Sequence, residues 1–329
     1  MLIKYLFIAL ISFLASTIAT FLLHQAAKRR KLLTPKGVPL VGGIAIGLSF
    51  FAASLLGLFL WGNLSSPALG IMIASGIMLV FGVIDDLREL SVLAKFLVQV
   101  VAIVLLISLG IKTQIAFFDQ LINLLVTFIW ILAITNAFNH LDVMDGLAAG
   151  TAIIVSLAFF VISLLNGDTH TAILSLALSV ATSSFLIHNL PPAKVYMGNS
   201  GSHFLGFTLA AIALFISYAP SSERKIALFS PLLILGLPIF DTGFLILMRI
   251  KQGRSIFKKS NDHPALRFLK LGYAKNKTLL LMLLLCLFFS SSGVLLSQVS
   301  NSFGIIIISL VILVSLIVTF RLNKVSIDG

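Results

Sequence analysis

The sequence predicts an all-α, polytopic transmembrane helical bundle, and three observations carry that reading. Of its 329 residues, 59% are hydrophobic and only 10% are charged, with a mean hydropathy of +1.12, whereas soluble domains carry about 25% charged residues. Apolar segments of spanning length, roughly 17–25 residues, recur along the chain. Lys and Arg gather in alternate connections between those segments. The usual length rule for counting domains does not apply to helices in lipid, so residues 1–329 are read as one integral-membrane domain.

Taken in order, the apolar segments lie near 3–23, 38–60, 67–84, 93–110, 119–137, 146–165, 171–190, 201–218, 227–248, 278–297 and 303–321. That predicts about eleven spans. The first sits where a signal peptide would. It is long, however, and lacks a small-residue cleavage site before the cluster Lys28-Arg29-Arg30-Lys31, so a retained anchor is expected. With the N-terminus outside, inner connections hold 19 of the 23 basic residues, and only Lys4, Lys112, Arg224 and Lys225 remain outside. This is a strong positive-inside pattern, and it puts the C-terminus in the cytoplasm. The single cysteine, Cys286, lies in an apolar run and excludes a disulfide framework or a Cys-based zinc site. The net charge of +12 is therefore assigned to topology and anionic membrane lipids, with no nucleic acid partner.

Polar groups inside so apolar a chain need a reason, because they are expensive at a membrane edge unless something binds them. The run Asn136-Ala-Phe-Asn139-His140-Leu-Asp142-Val-Met-Asp145-Gly146 places two amides and two carboxylates at every third position. A regular helix would turn this run through about half its circumference. A helix end spilling into a loop is expected, with Asp142 and Asp145 aimed into one pocket.

Four further constellations fall on the same predicted face. Asp85 and Asp86 end the third span, where adjacent carboxylates meet the negative end of the helix dipole. Arg88, Lys95 or a metal would compensate them, unless they are simply a solvated helix end. The loop Asn189-Leu-Pro191-Pro192-Ala-Lys194-Val-Tyr196-Met-Gly198-Asn199-Ser200-Gly201-Ser202 leads into the eighth span, and its N–H groups are suited to an anion such as phosphate. A plain turn and cap would use the same residues. Asp241 follows Pro238 inside the ninth span, where an acid is a functional candidate or a structural partner for another helix. His263 and Arg267 are spaced to share a helical face and clamp a diphosphate, although a lone surface histidine is the blander alternative. Gly42 and Gly43 permit close packing of the second span.

Together, Pro39-x-x-Gly42-Gly43, Asp85-Asp86, Asn136-x-x-Asn139-x-x-Asp142-x-x-Asp145-Gly146, Asn189-x-Pro-Pro-Ala-Lys194-x-Tyr196-x-Gly198-Asn199-x-Gly201-Ser202, Asp241-Thr242 and His263-x-x-x-Arg267 resemble the polyprenyl-phosphate N-acetylhexosamine-1-phosphate transferases of glycosyltransferase family 4. The resemblance covers about residues 36–272. It is nearest to the branch that begins O-antigen, enterobacterial common antigen and teichoic acid linkage units, since the phospho-MurNAc-pentapeptide branch has a fuller histidine triplet.

The resemblance implies transfer of a sugar-1-phosphate from a UDP-amino sugar to a polyprenyl (undecaprenyl) phosphate, with Mg²⁺ or Mn²⁺ and release of UMP. It places the enzyme in the inner (plasma) membrane with a cytoplasmic site, and a homodimer is compatible with it. By the same resemblance Asp85, Asp86 and Asp142 are the catalytic candidates, and Asp86 and Asn199 the metal candidates. Lys36, Lys95, Asn139, Asp145, Asn189, Tyr196, His263 and Arg267 are the substrate-binding candidates, Tyr196 by stacking on uridine. The chain departs from the family pattern at Asn199, where Asp is usual, and at Val143, where Gly is usual. It departs also at Ala265 and Leu266 in place of histidines, and at Ala26 and Thr34 before the Pro39 motif. An amide oxygen ligates Mg²⁺ without supplying charge. A catalytically impaired scaffold and a secondary transporter are the rival readings.

Overall fold

The structure, a computed structural model, describes residues 2–30, 34, 37–218, 224–255 and 261–325, except for the side chain of Arg30. Every long regular element among them is a helix. In chain order these are α1 (Leu2–Arg30), α2 (Gly42–Gly57, continued by a π turn over Leu58–Gly62), α3 (Ser66–Leu87), α4 (Val92–Ser108), α5 (Gln120–Leu141), α6 (Leu147–Leu165) and α7 (Thr169–Asn189). There follow α8 (Gly198–Phe215), the short α9 (Ser230–Ile234), α10 (Gly236–Lys251), α11 (Pro264–Lys270), α12 (Lys275–Leu296) and α13 (Asn301–Asn323).

Each of the eleven predicted segments falls on a helix. Eight of these helices are long and apolar enough to cross a membrane, or nine if α9 and α10 with the turn before them form one bent span. Three segments differ from simple spans for visible reasons. Helix α4 is only 17 residues long. Helix α8 opens with the polar turn Gly198-Asn-Ser-Gly-Ser-His203. The ninth segment bends by 72° between Ile234 and Gly236. Pro238 falls in the first turn of α10, where its missing N–H leaves no helical bond unmade.

Helices α8 and α7 form the middle of the bundle, and nearly every residue of α8 from Ser200 to Ala213 is buried. In lipid, association relies on close packing and interhelical hydrogen bonds instead of on hydrophobic exclusion. Small residues provide both here. A Cβ on Gly43 would run into the backbone of Gly201, and one on Gly82 into the backbone of Ser200, so α2 and α3 touch the start of α8 directly. Ser12 and Ser16 of α1 donate to the carbonyls of Ala177 and Ala181 of α7, both at 2.7 Å. Thr208 of α8 meets Ser75 of α3 at 2.9 Å. At the periphery, α1 and α13 leave most of their apolar side chains exposed, as lipid-facing helices do.

Gly43→Ala and Gly82→Ala should each lower stability by about 1–3 kcal/mol, because overpacking must displace backbone. Gly76→Ala should be nearly neutral, since its added Cβ meets only the Phe51 ring at 3.6 Å. Thermal unfolding of the detergent-solubilised variants measures this; equal melting temperatures for all three would refute the contact.

Candidate functional site

One end of the bundle gathers the polar sequence motifs around a cavity of about 390 Å³. Helix α5 ends at Leu141, as the spacing of its polar residues predicts, and residues 142–146 form a short connection to α6. Asp142 and Asp145 of that connection line the cavity. Facing them are Asp86 from the end of α3, and Asn189, Tyr196 and Asn199 from the end of α7 and the loop into α8. No lysine or arginine lines the cavity among the described residues.

The two adjacent carboxylates of α3 have separate partners. Asp85 is buried; its Oδ2 lies 2.6 Å from Lys95 Nζ and its Oδ1 accepts the Leu90 N–H at 2.9 Å. Asp86 turns the other way. Its Oδ1 accepts the backbone N–H of Asn199 at 2.7 Å and its Oδ2 that of Ser200 at 3.0 Å. A carboxylate disfavoured at one helix's negative end thus satisfies the free N–H groups and positive dipole of another helix's start. The anion expected at the start of α8 is this side chain. Gly198 makes room for it, with φ of 73° and a missing Cβ where the Asp86 carboxylate sits.

The amides are largely structural. Asn139 donates to Asn199 Oδ1 at 3.1 Å and to Ser202 Oγ at 2.9 Å, fixing the first turn of α8. Asn136 points elsewhere, to the buried Gln99 at 3.0 Å. Asn189 accepts the Gly146 N–H at 3.0 Å and donates to the Val195 carbonyl at 2.9 Å, tying the two walls of the cavity together. Asp145 accepts the Ala193 N–H on one oxygen at 3.1 Å, leaving the other oxygen available. The loop is anchored to α2 as well, with Gly42 and Gly43 donating to the carbonyls of Tyr196 and Met197, each at 3.0 Å.

Asp142 differs from all of these, because no hydrogen bond to it is made among the described residues. It is exposed, and it opens onto the cavity. Although exposed to the cavity, its carboxyl is pushed up to about 7 by partial desolvation from the dense protein around it, and the charges of Asp86 and Asp145 add to the rise. Sites of this kind attract cations. Among the described residues no three His, Cys, Asp or Glu side chains form a ready ligand cage. Mg²⁺ rarely uses such a cage, taking one or two carboxylates and completing its shell with water and substrate phosphates. The free oxygens of Asp142 and Asp145 fit that donor set better than the expected pair. Asp86 already accepts two N–H groups, and Asn199 Oδ1 already accepts from Asn139.

Two further candidates lie apart from the cavity lining. His263 Nδ1 pairs with the buried Asp241 Oδ2 at 2.8 Å. Arg267 is 1% exposed and donates to Asp262, to the Leu322 carbonyl at 2.8 Å and to the Val325 carbonyl. Its guanidinium also lies 5.2 Å from the centre of the Phe244 ring. In place of the expected phosphate clamp, the structure gives this pair a latch between α10, α11 and the end of α13. Ala265 and Leu266 stand where the family carries further histidines, while Asp241 Oδ1, Asp262 Oδ2 and Arg267 Nε are buried without a hydrogen-bond partner among the described residues. Lys36 lies outside the described residues. The sequence reading missed Met144, Met197 and Leu40, which complete the lining; their only signal was adjacency to the polar motifs.

A carboxyl raised to about 7 binds its proton more tightly in the folded protein than in the unfolded chain, where Asp titrates near 4. The stability it contributes is full below that unfolded value and is lost as pH rises through about 7. In EDTA-treated protein, the gain in melting temperature from Asp142→Asn should therefore be larger at pH 8 than at pH 4.5. An equal gain at both would show that Asp142 titrates normally.

Comparison with known proteins shows the family. The profile of glycosyl transferase family 4 matches residues 68–217, which run from α3 to the end of α8. A probable undecaprenyl-phosphate N-acetylglucosaminyl 1-phosphate transferase of Bacillus subtilis is 31% identical over 290 residues, covering 84% of this chain and 78% of the relative. The decaprenyl-phosphate N-acetylglucosaminephosphotransferase of Mycobacterium tuberculosis is 31% identical over 276 residues, covering 74% and 68%. A phospho-N-acetylmuramoyl-pentapeptide-transferase of Halalkalibacterium halodurans is 32% identical over 251 residues, covering 69% and 74%. On the first two of these matches, and with the Asp86, Asp142 and Asp145 motifs converging on one cavity, the chain belongs to glycosyl transferase family 4, as a multi-pass membrane protein.

Proposed function

We propose that the protein transfers a sugar-1-phosphate, N-acetylhexosamine-1-phosphate in the first instance, from a UDP-sugar to a polyprenyl phosphate. Release of UMP then begins assembly of a lipid-linked cell-surface glycan. The observation that supports this most is the convergence of Asp86, Asp142 and Asp145 on a cavity without a lining cation among the described residues, together with relatives named as polyprenyl-phosphate N-acetylglucosamine phosphotransferases. A volume of about 390 Å³ is in the range of small-molecule sites.

Phosphoryl transfer asks the protein for positioning and charge balance more than for covalent chemistry. An oxygen of the lipid phosphate attacks the sugar-bearing phosphorus. A new P–O bond forms, the bond to the bridging oxygen breaks, and its electron pair leaves with UMP. Mg²⁺ or Mn²⁺ would neutralise the phosphate charge and polarise the phosphorus. Asp142 and Asp145 would hold the ion through their free oxygens, with Asp86 and Asn199 beside them. In this reading Tyr196 offers its ring to the uracil, while Asn189 keeps both walls at a fixed spacing. Asp142 also orients the incoming lipid phosphate. Asp85 with Lys95 supports Asp86 from behind, and Asn139 holds Asn199 in place.

The distribution of basic residues favours a cytoplasmic site, with the N-terminus outside, the C-terminus inside and eleven crossings of the inner (plasma) membrane. The whole chain is then one domain. The buried core runs from Tyr5 to Val311, which supports that reading.

Purified protein with undecaprenyl phosphate, Mg²⁺ and UDP-GlcNAc, or another member of a UDP-sugar panel, should release UMP and stop on EDTA addition. No turnover with any sugar would sink the proposal in favour of a scaffold. Asp142→Asn should lower kcat by about 10²-fold or more, and Asn199→Asp should lower the Mg²⁺ concentration needed for half-maximal rate. A rate unchanged in Asp142→Asn would remove that residue from the mechanism.

A further inference from the structure

A second cavity, of about 490 Å³, lies between the end of α1 and the end of α7. Its charged lining is wholly basic, with Lys28 and Arg29 from α1 and Lys194 from the loop after α7, joined by His24 and His188. No carboxylate lines it, and Lys28, Arg29 and Lys194 have no carboxylate partner among the described residues. Two buried polar atoms of lining residues also lack partners, Thr20 Oγ1 and His188 Nδ1, and Thr20 itself is 0% exposed. Orphaned buried polar atoms beside unpaired cations mark a place built to meet an anion carrying hydrogen-bonding oxygens.

The helix also indicates what carries that anion. Phe21, His24, Gln25 and Lys28 stand at i, i+3, i+4 and i+7, so they form one face of α1. That face changes within two turns from apolar to cationic. Below it, Ile18, Phe21 and Leu22 are each 57% exposed, on a helix otherwise suited to face lipid. A soluble phosphate would use only the cationic half. A lipid with a phosphate headgroup would use both, its headgroup among Lys28, Arg29 and Lys194 and its tail along Phe21.

From this geometry we infer that the cavity is a binding site for one anionic phospholipid of the surrounding membrane, separate from the carboxylate-lined cavity. The two cavities share a wall. His188 and Lys194 line the basic one, and Asn189 and Tyr196, their neighbours in the chain, line the acidic one. The His188 carbonyl accepts the N–H groups of Lys194 and Val195 at 2.8 and 3.2 Å. A headgroup held by His188 and Lys194 therefore braces the loop that carries Tyr196.

The test uses full-length protein in neutral detergent, titrated with dioctanoyl phosphatidylglycerol, dioctanoyl phosphatidylcholine or inorganic phosphate. Native mass spectrometry counts bound lipid, and a competition assay reads inorganic phosphate. Phosphatidylglycerol should bind saturably, with phosphatidylcholine and inorganic phosphate at least tenfold weaker. The double variant Lys28→Gln with Lys194→Gln should lose one tightly bound phosphatidylglycerol, a weakening of roughly tenfold or more for charge-assisted bonds. Lys28→Arg with Lys194→Arg should restore it, which separates loss of charge from loss of structure. Lys112→Gln should change nothing. Phosphatidylglycerol bound equally by the Gln variant would overturn the site. Equal binding of phosphatidylcholine would overturn the role of charge, and equal binding of inorganic phosphate that of the tail. None of these outcomes depends on whether the protein turns over a UDP-sugar.

Discussion

The bond between the Asp86 carboxylate and the first N–H groups of α8 is the constraint on which the rest of the structure depends. Helix α8 is buried along nearly its whole length, and the N–H groups of its first turn have no partner within the helix. Asp86, at the end of α3, answers that need with both oxygens. Gly43, Gly82 and Gly198 exist to let the three segments approach closely enough for the bond to form. Once it has formed, Asn199 and Ser202 are within reach of Asn139, and the loop before α8 is drawn against α2. The cavity is the space these contacts leave.

The arrangement separates charges of opposite sign over a short stretch of chain. Among the described residues, Asp142 and Asp145 remain without basic partners at one cavity, while Lys28, Arg29 and Lys194 remain without acidic partners at the other. Neither set neutralises the other, because residues 188–199 stand between them as a tied loop. Elsewhere the protein pairs its buried charges closely, as Asp85 with Lys95 and Asp241 with His263. Among the described residues, each of these two cavities is thus lined by charge of one sign and can meet a ligand of the opposite sign.

Much of this is legible in the sequence where the signal is local. Hydropathy locates all the long helices, and the three-residue spacing from Asn136 to Asp145 locates the end of α5 and the two carboxylates beyond it. The partners are harder to read, because they come from distant segments. Asp85 and Asp86 look alike in sequence, yet one is 1% exposed at its side chain and bound to Lys95 while the other caps α8. The glycine-rich loop signals an anion correctly but not that the chain supplies its own. His263 and Arg267 carry the right spacing for a phosphate clamp, and only the fold reveals that the end of α13 occupies the guanidinium. The bend before Gly236 is a further such case, since composition alone shows one continuous apolar segment.

The ladder joining α1 to α7 has a mechanical side. Ser12 and Ser16 are four residues apart, and so are the carbonyls of Ala177 and Ala181 that they reach. Sliding α1 by four residues, about 6 Å, would offer Ser16 the carbonyl now used by Ser12, so these two rungs alone do not choose between the registers. The choice falls to contacts without a periodic counterpart: Thr17 Oγ1 with Ser184 Oγ at 2.9 Å beside the rungs and, at the far end of the helix, Lys4 Nζ with Thr169 Oγ1 at 3.1 Å and the Tyr5 ring with Phe160 at 5.3 Å. A lysine at one surface thus indexes the helix like a detent pin. Whether Lys28 arrives beside His188 at the opposite surface is decided in part a full helix length away.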